Sequence, residues 1–512
     1  MRWVLAVAVV LHLALGAAVG LSVDEAHYAL YATHLALSYF DHPPLVGWVQ
    51  WPLVAVGAPE AVLRWVPELL WLGTALLVFQ VAERLSSLTG APSVSGSPMR
   101  PSAGFWAVVV MALAPLLHVL GIGLLPDTLL MFFTALVMWQ TLGLMDEKGV
   151  QSPARWLALG LVLGLAGLSK YTAIFTALAV AMCLLVAHGP RLLRSPWPWA
   201  AVVLAVAVVS PVAIWNAQHG WISFAYQTQH GAGGGWRVLP LVQFLIVQVV
   251  AYGPLLTWGL AGMLALGGRS HRSIAVFFAL PFSVLALLSG GGSGLPHWTA
   301  PAWVALAPLA GMGLAGFVRS GTPAWRPWLL AGLALLQMTL CLGLMGLMAG
   351  GGAPWLTPPA QAASDKATPS EPTLGFTPET PNPFADLHGW IDAGARAQAL
   401  AQAQGLTSVS VQNWTLASRI GWYARPLPVH VLEDRFDQFD FWAGDLPEGG
   451  NTLLVDWSQM AYTVPLAPHG FASCTLLETL PVLHWGTRLS SFHFYDCRQW
   501  TGTPQPRLQN DH

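Results

Sequence analysis

The sequence predicts an all-α polytopic membrane protein that ends in a small extracytoplasmic α/β domain. Three observations predict it. Of 512 residues, 55% are hydrophobic and only 9% charged, whereas a soluble chain carries about 25% charged residues. Apolar runs of spanning length recur along residues 1–349. The charge balance then turns: fourteen Lys or Arg and nine Asp or Glu lie at or before Gly350, against eight and fifteen after it. A net charge of -2 gives no electrostatic case for nucleic acid as a partner.

The first run, residues 1–20, has one early arginine and then only apolar side chains and His12. A signal peptide would look similar, and Ala18-Val19-Gly20 would serve as its cleavage site. The run is also long enough to span, so it is read as a retained first helix. Both readings send Ser22 to the outer side. Further runs lie near 60–82, 103–121, 124–143, 155–170, 172–188, 197–215, 238–262, 273–289, 299–317 and 327–349. That makes about eleven spans, the run at 155–170 being short enough to be tilted or broken. With the N-terminus cytoplasmic, eleven of the fourteen basic residues in this half fall in inner loops; only Arg64, Lys170 and Arg237 fall outside or at the outer edge. The positive-inside bias therefore fixes the orientation and places the C-terminus outside.

Residues 350–383 are rich in Pro, Ala, Ser and Thr, which reads as a semi-extended linker. In 384–512, residues 385–404 and 414–423 read as helices, and 408–411, 429–432, 452–455 and 492–496 as strands. Cys183 and Cys341 lie in apolar runs and read as core thiols. Cys474 and Cys497 lie in the polar tail, where an oxidising compartment would let them pair. No internal repeat is evident, which argues against a transporter of inverted halves.

The unusual residues sit in the outer loops. The first loop carries Asp24-Glu25, then Tyr39-Phe40-Asp41-His42-Pro43-Pro44-Leu45. Carboxylates at the mouth of a membrane helix are costly unless solvated or paired, so they either mark the membrane surface or form a site. Pro126-Asp127 precedes the fourth run, where Asp127 could simply cap the helix. Gly167-Leu168-Ser169-Lys170-Tyr171-Thr172 carries the only lysine in the outer half of the membrane domain. It could snorkel to the interface or pair with a phosphate. A further loop reads Trp215-Asn216-Ala217-Gln218-His219-Gly220-Trp221, followed by Gln227, His230 and Arg237; its tryptophans suit interfacial anchors, or sugar contacts. Gly290 to Trp298 is glycine-rich and ends in Pro296-His297-Trp298, a linker or a lid.

No Walker loop, dinucleotide fingerprint, His-Glu-x-x-His or Cys-x-x-Cys occurs. Asp41, His42, His219 and His230 could hold a divalent metal, but no ligand spacing compels one, so no cofactor is expected. The groups present suit sugar transfer from a polyprenyl phosphate: a carboxylate such as Asp24 to take the acceptor proton, and Lys170 with His42 or Arg237 to neutralise the departing phosphate.

The pattern Asp24-Glu25, Tyr39 to Leu45, Pro126-Asp127 and Gly167 to Thr172 resembles the bacterial family 39 glycosyltransferases, relatives of the protein O-mannosyltransferases and of the aminoarabinose transferase that modifies lipid A. The segments 215–224, 413–423 and 438–442 look like the same group, so the resemblance covers nearly the whole chain. It implies a GT-C membrane fold in a bacterial inner membrane and inverting transfer from a polyprenyl-phosphate-linked sugar on the outer face. It also implies Asp24 as the base. The lipid A branch has Glu-Lys before its Pro-Pro, where this chain has Asp41-His42; sugar and acceptor therefore stay open. The site expected is Asp24 and Glu25 for catalysis, with Asp41, His42, Asp127, Lys170, His219 and Arg237 for donor phosphate and sugar. Membrane lipids and an unidentified acceptor complete the expected partners. A non-catalytic lipid or solute carrier would place its ionisable groups near the midplane, and a diphosphate-dependent ligase or polymerase would carry more outer arginines.

Overall fold

The computed structural model describes every residue except 89–100, 233, 267–271, 293, 319–322, 324, 354–381 and 505–512. The chain divides into two compact units, one of Met1–Ala14 and Leu35–Gly343 and one of Leu15–His34 and Leu344–His512. Most of the expected linker at 350–383 falls outside the described residues.

Among the described residues, the α-helices longer than four residues before the polar region are α1 (Arg2–Ala18), α2 (Val23–Thr33), α3 (Leu45–Ala55), α4 (Trp65–Leu88), α5 (Ala103–Ala112), α6 (Pro115–Ile122), α7 (Pro126–Leu144), α8 (Pro153–Ser169), α9 (Ala173–His188), α10 (Pro196–Gln218), α11 (Ile222–Ala232), α12 (Val238–Tyr252), α13 (Trp258–Ala265), α14 (Val276–Ser289), α15 (Ala300–Phe317) and α16 (Trp325–Gly350). Among the described residues five helices are long and apolar enough to cross a membrane, or seven if each of two bent pairs forms one span. The other expected spans differ in detail. The run at 103–121 divides into α5 and α6, bent by 75°, because Pro115 cannot continue the hydrogen-bond ladder of α5. The run at 238–262 divides at Gly253, whose φ of 83° suits glycine alone. The runs at 155–170 and 172–188 become helices of 17 and 16 residues.

Helices α7 and α15 form the buried centre of the first unit: 78% and 72% of their apolar windows are enclosed by protein. Helix α8 packs along α10 through small residues. A Cβ on Gly160 would come within 2.4 Å of Ala201 O, and one on Gly164 within 2.5 Å of Val208. The Gly-x-x-x-Gly spacing thus lets two backbones approach closely where lipid gives no hydrophobic drive to associate. That contact fixes the end of α8, where Lys170 sits.

In the second unit, α17 (Trp390–Gln404), α18 (Trp414–Tyr423) and α19 (Gln438–Trp442) accompany a five-stranded sheet of β1 (Val409–Val411), β2 (Val429–Val431), β3 (Thr452–Trp457), β4 (Phe471–His484) and β5 (Thr487–Trp500). The strand order is β2-β1-β3-β5-β4. β1 pairs in parallel with β2 and β3, while β5 runs antiparallel to β3 and β4. The sequence reading missed β4, which lies at an edge, alternates poorly in burial and contains Pro481. Cys474 and Cys497 are cross-strand neighbours on β4 and β5 and form a disulfide.

Asp456 on β3 is 1% exposed, and burial pushes its carboxyl up to about 7. Its Oδ1 accepts from the Tyr462 N–H at 3.4 Å, whereas Oδ2 is buried without a hydrogen-bond partner among the described residues. A carboxyl raised in the folded state contributes stability that is complete below its ordinary value of 3.8 and is lost as pH rises through about 7. Asp456→Asn should therefore flatten the fall in the full-length protein's melting temperature between pH 5 and pH 8. It should also raise stability at pH 8 by about 2–4 kcal/mol. Equal pH slopes for both proteins in thermal unfolding would contradict this.

Candidate functional site

The centre of the first unit holds a buried ion pair. Asp127 lies in the first turn of α7, directly after Pro126, where the helix dipole favours a negative charge. Lys170 caps the C-terminus of α8, its N–H donating to Ala166 O. The Lys170 ammonium donates to Asp127 Oδ1 at 2.7 Å and Oδ2 at 2.6 Å. Both residues are buried, Asp127 at 1% and Lys170 at 6% exposure. His297 Nε2 stands 3.9 Å from Asp127 Oδ2, and the Trp298 ring centre is 5.9 Å from Lys170 Nζ. The glycine-rich loop flagged in the sequence thus delivers its His-Trp pair to this ion pair. A lysine ammonium has three N–H donors; Asp127 takes two.

The first loop is tied to the loop after α10. Tyr39 N–H donates to His42 O at 3.1 Å. Ser223 Oγ donates to Tyr39 O at 3.0 Å, and Gln227 Nε2 to Asp41 O at 2.6 Å. Asn216 Oδ1 accepts from the Ser223 N–H. The Tyr171 hydroxyl lies among the Ser223, Ser38 and Asn216 side chains, within the field of Asp41. Residues more than 180 positions apart therefore converge beside the Lys170 segment.

Two further residues expected at the donor, His219 and Arg237, follow α10 in the chain. His219 stacks on Trp215 at 4.0 Å and bonds Trp215 O within its own turn. Arg237 is exposed, with its backbone N–H on Gly290 O. No three His, Cys, Asp or Glu side chains among the described residues come together as a metal would require.

Beside the pair runs a groove of about 420 Å³, almost wholly apolar, formed by α8, α9 and α10. Leu163, Ile174, Val206 and Val209 line it, and Lys170 and Tyr171 stand in its wall.

Asp24 and Glu25 stand on α2 in the second unit. Glu25 closes a capping box: its carboxylate accepts from the Ser22 N–H and Oγ at 3.0 Å, and its N–H donates to Ser22 Oγ. It therefore starts the helix that carries Asp24. Helix α2 is held to α18 by His27 Nδ1 and Ser418 Oγ at 3.0 Å, and by the Leu21 N–H donating to Tyr423 Oη at 2.8 Å. Arg419 in α18 is 1% exposed; it donates to Asp386 and lies over the rings of Trp390 and Trp457. Burial pulls its guanidinium down to about 9, while Asp24 and then Tyr423 draw it back up. Arg419 and Asp24 thus lie within each other's electrostatic field. Sequence reading passed over Arg419, although one arginine inside the apolar helix Trp414–Tyr423 was the available signal.

Residues 41–215 match the family of dolichyl-phosphate-mannose-protein mannosyltransferases. The lipid A galacturonosyltransferase RgtD of Rhizobium johnstonii is 24% identical over 296 residues, 55% of this chain and 58% of that protein. The chain therefore spans less than two thirds of this relative. ArnT from Cupriavidus metallidurans, in the structure bound to undecaprenyl phosphate, shares the fold with a TM-score of 0.57 at 17% identity, covering 96% of this chain and 97% of that one. The arabinofuranosyltransferase AftD from Mycobacteria gives 0.52 at 16% identity, over 97% of this chain and 40% of its own.

Removing the counter-charge tests the pair. Asp127→Asn leaves a buried ammonium uncompensated, at a cost of about 3–5 kcal/mol. The melting temperature should fall accordingly, and adding Lys170→Met should restore most of it. A double variant no more stable than Asp127→Asn would contradict this pairing.

Proposed function

We propose that this chain, which has the GT-C fold that its motifs imply, is a bacterial membrane glycosyltransferase. It would move a sugar from a polyprenyl-phosphate donor to an acceptor on the outer face of the inner membrane. The observation that carries the reading is the apolar groove of about 420 Å³ with a buried lysine in its wall. A polyprenyl chain needs such a groove, and its phosphate needs a cation where the groove ends. The relatives support the reading: ArnT of Cupriavidus metallidurans binds undecaprenyl phosphate, and RgtD transfers galacturonic acid to lipid A.

In this account Asp127 holds and orients the Lys170 ammonium through two hydrogen bonds. The third ammonium N–H donates to a phosphate oxygen. Asp24 takes the proton from the acceptor hydroxyl, whose oxygen bonds to the anomeric carbon as the bond to the phosphate oxygen breaks. The electron pair leaves on the lipid phosphate, where Lys170 stabilises the growing charge. A single displacement of this kind inverts the anomeric centre. Glu25 holds the turn that presents Asp24, and the charge of Arg419 helps to place it. Asp41 and His42 border the sugar.

Asp24→Asn should lower transfer by about 10²–10⁴-fold, the range for loss of a positioned base, with undecaprenyl phosphate binding unchanged. Mass spectrometry of lipids from cells carrying this variant should show an undecaprenyl-phosphate sugar accumulating as one glycan disappears. Unchanged lipid-linked sugars, with the protein present and folded, would overturn the assignment and favour a carrier.

A further inference from the structure

Away from the ion pair, the first unit buries a second polar chain that the proposed chemistry does not use. His12 on α1 is 2% exposed, Glu68 on α4 5% and His118 on α6 4%. His12 Nδ1 meets Glu68 Oε2 at 2.7 Å, His12 Nε2 meets His118 Nδ1 at 2.7 Å, and His118 Nε2 meets Ala112 O at 2.7 Å. Trp71 packs edge-on to His12, and a Cβ on Gly121 would strike the His12 ring at 2.7 Å. Ionisable groups within a membrane unit are expensive and call for a purpose.

Hydrogen-bond counting sets the number of protons in this chain. Ala112 O can only accept, so His118 Nε2 carries a proton, and one further proton lies between His118 Nδ1 and His12 Nε2. One proton then lies between His12 Nδ1 and Glu68 Oε2, and the trio as a whole is uncharged. Ala112 is the last residue of α5, at the break before α6, where its carbonyl has lost its helical partner. The trio therefore clamps the broken helix to α1 and α4. From α6 the connection runs on: Thr128 Oγ1 reaches Leu120 O at 3.0 Å and Gly123 O at 3.1 Å, and receives the Leu125 N–H. Thr128 adjoins Asp127.

We infer that Glu68, His12 and His118 are positioning residues, which act through α6 and Thr128 to hold Asp127 at the geometry that presents Lys170 to the donor phosphate. The inference rests on the proposed donor site. His118→Phe strands both Ala112 O and His12, and a displacement near 1 Å at the reacting groups is worth on the order of 100-fold. Glu68→Gln keeps the uncharged pattern, because its amide N–H can replace the shared proton on His12 Nδ1.

The test is a double-mutant cycle on undecaprenyl phosphate binding by the full-length protein, at a temperature below every variant's melting point. His118→Phe should raise the dissociation constant about 10–100-fold, Glu68→Gln less than 3-fold, and His118→Phe should add almost nothing in an Asp127→Asn background. Thr128→Val, which cuts the connection at its far end and leaves the trio whole, should match His118→Phe and serves where that variant does not fold. Additive effects of His118→Phe and Asp127→Asn, or normal binding by Thr128→Val, would overturn the inference. If Asp127→Asn and Lys170→Met both bind normally, the donor-site reading itself fails, and this inference fails with it.

Discussion

The buried salt bridge between Asp127 and Lys170 is the constraint around which the first unit is arranged. An ammonium at 6% exposure among apolar helices is tolerable only with a counter-charge at hydrogen-bond distance. Asp127 supplies both carboxylate oxygens to it, and the N-terminus of α7 steadies the carboxylate in turn. That geometry needs α7 to begin after the break at Gly123 and α8 to end against α10. The second requirement accounts for the close approach at Gly160 and Gly164. The cost of burying the pair is the usual reason to look for a ligand there. The pair also leaves one ammonium proton for an anion, beside a groove that suits a lipid.

Much of this was legible in the sequence, because membrane solvation imposes coarse rules. Low charge, long apolar runs and the clustering of unusual residues in a few loops follow directly from what lipid allows. The ion pair's two members were both visible, though not as each other's partners. Forty-three positions separate Asp127 from Lys170, and nothing local says which side chain closes the distance. The His297-Trp298 loop was noticed for its glycines, but only the fold brings it to Asp127. His12, Glu68 and His118 were silent for a related reason: a lone histidine in an apolar run gives no sign of the helix break that it satisfies.

The second unit shows a different limit. Its parallel strands β1 and β3 and its helix α18 were read near their observed positions, because short β-branched runs and a capping Asn413 mark them locally. β4 carried no such alternation. Nor does sequence say that residues 15–34 group with the C-terminal part of the chain. That grouping follows from backbone and side-chain bonds to Leu387, Ser418 and Tyr423. Within that group the Ser22–Glu25 capping box starts α2, and Asp24 lies in the field of Arg419.

Lys170 is the proposed donor-phosphate cation, and the most direct measurement of that role is the affinity of full-length protein for undecaprenyl phosphate, wild type against Lys170→Met. Methionine keeps the packing in the groove wall and removes the charge. Loss of a charge-assisted contact worth about 1.5–3 kcal/mol predicts a dissociation constant at least 10-fold higher, with no change in affinity for the uncharged alcohol undecaprenol. Equal affinity of both proteins for the phosphate would contradict the account.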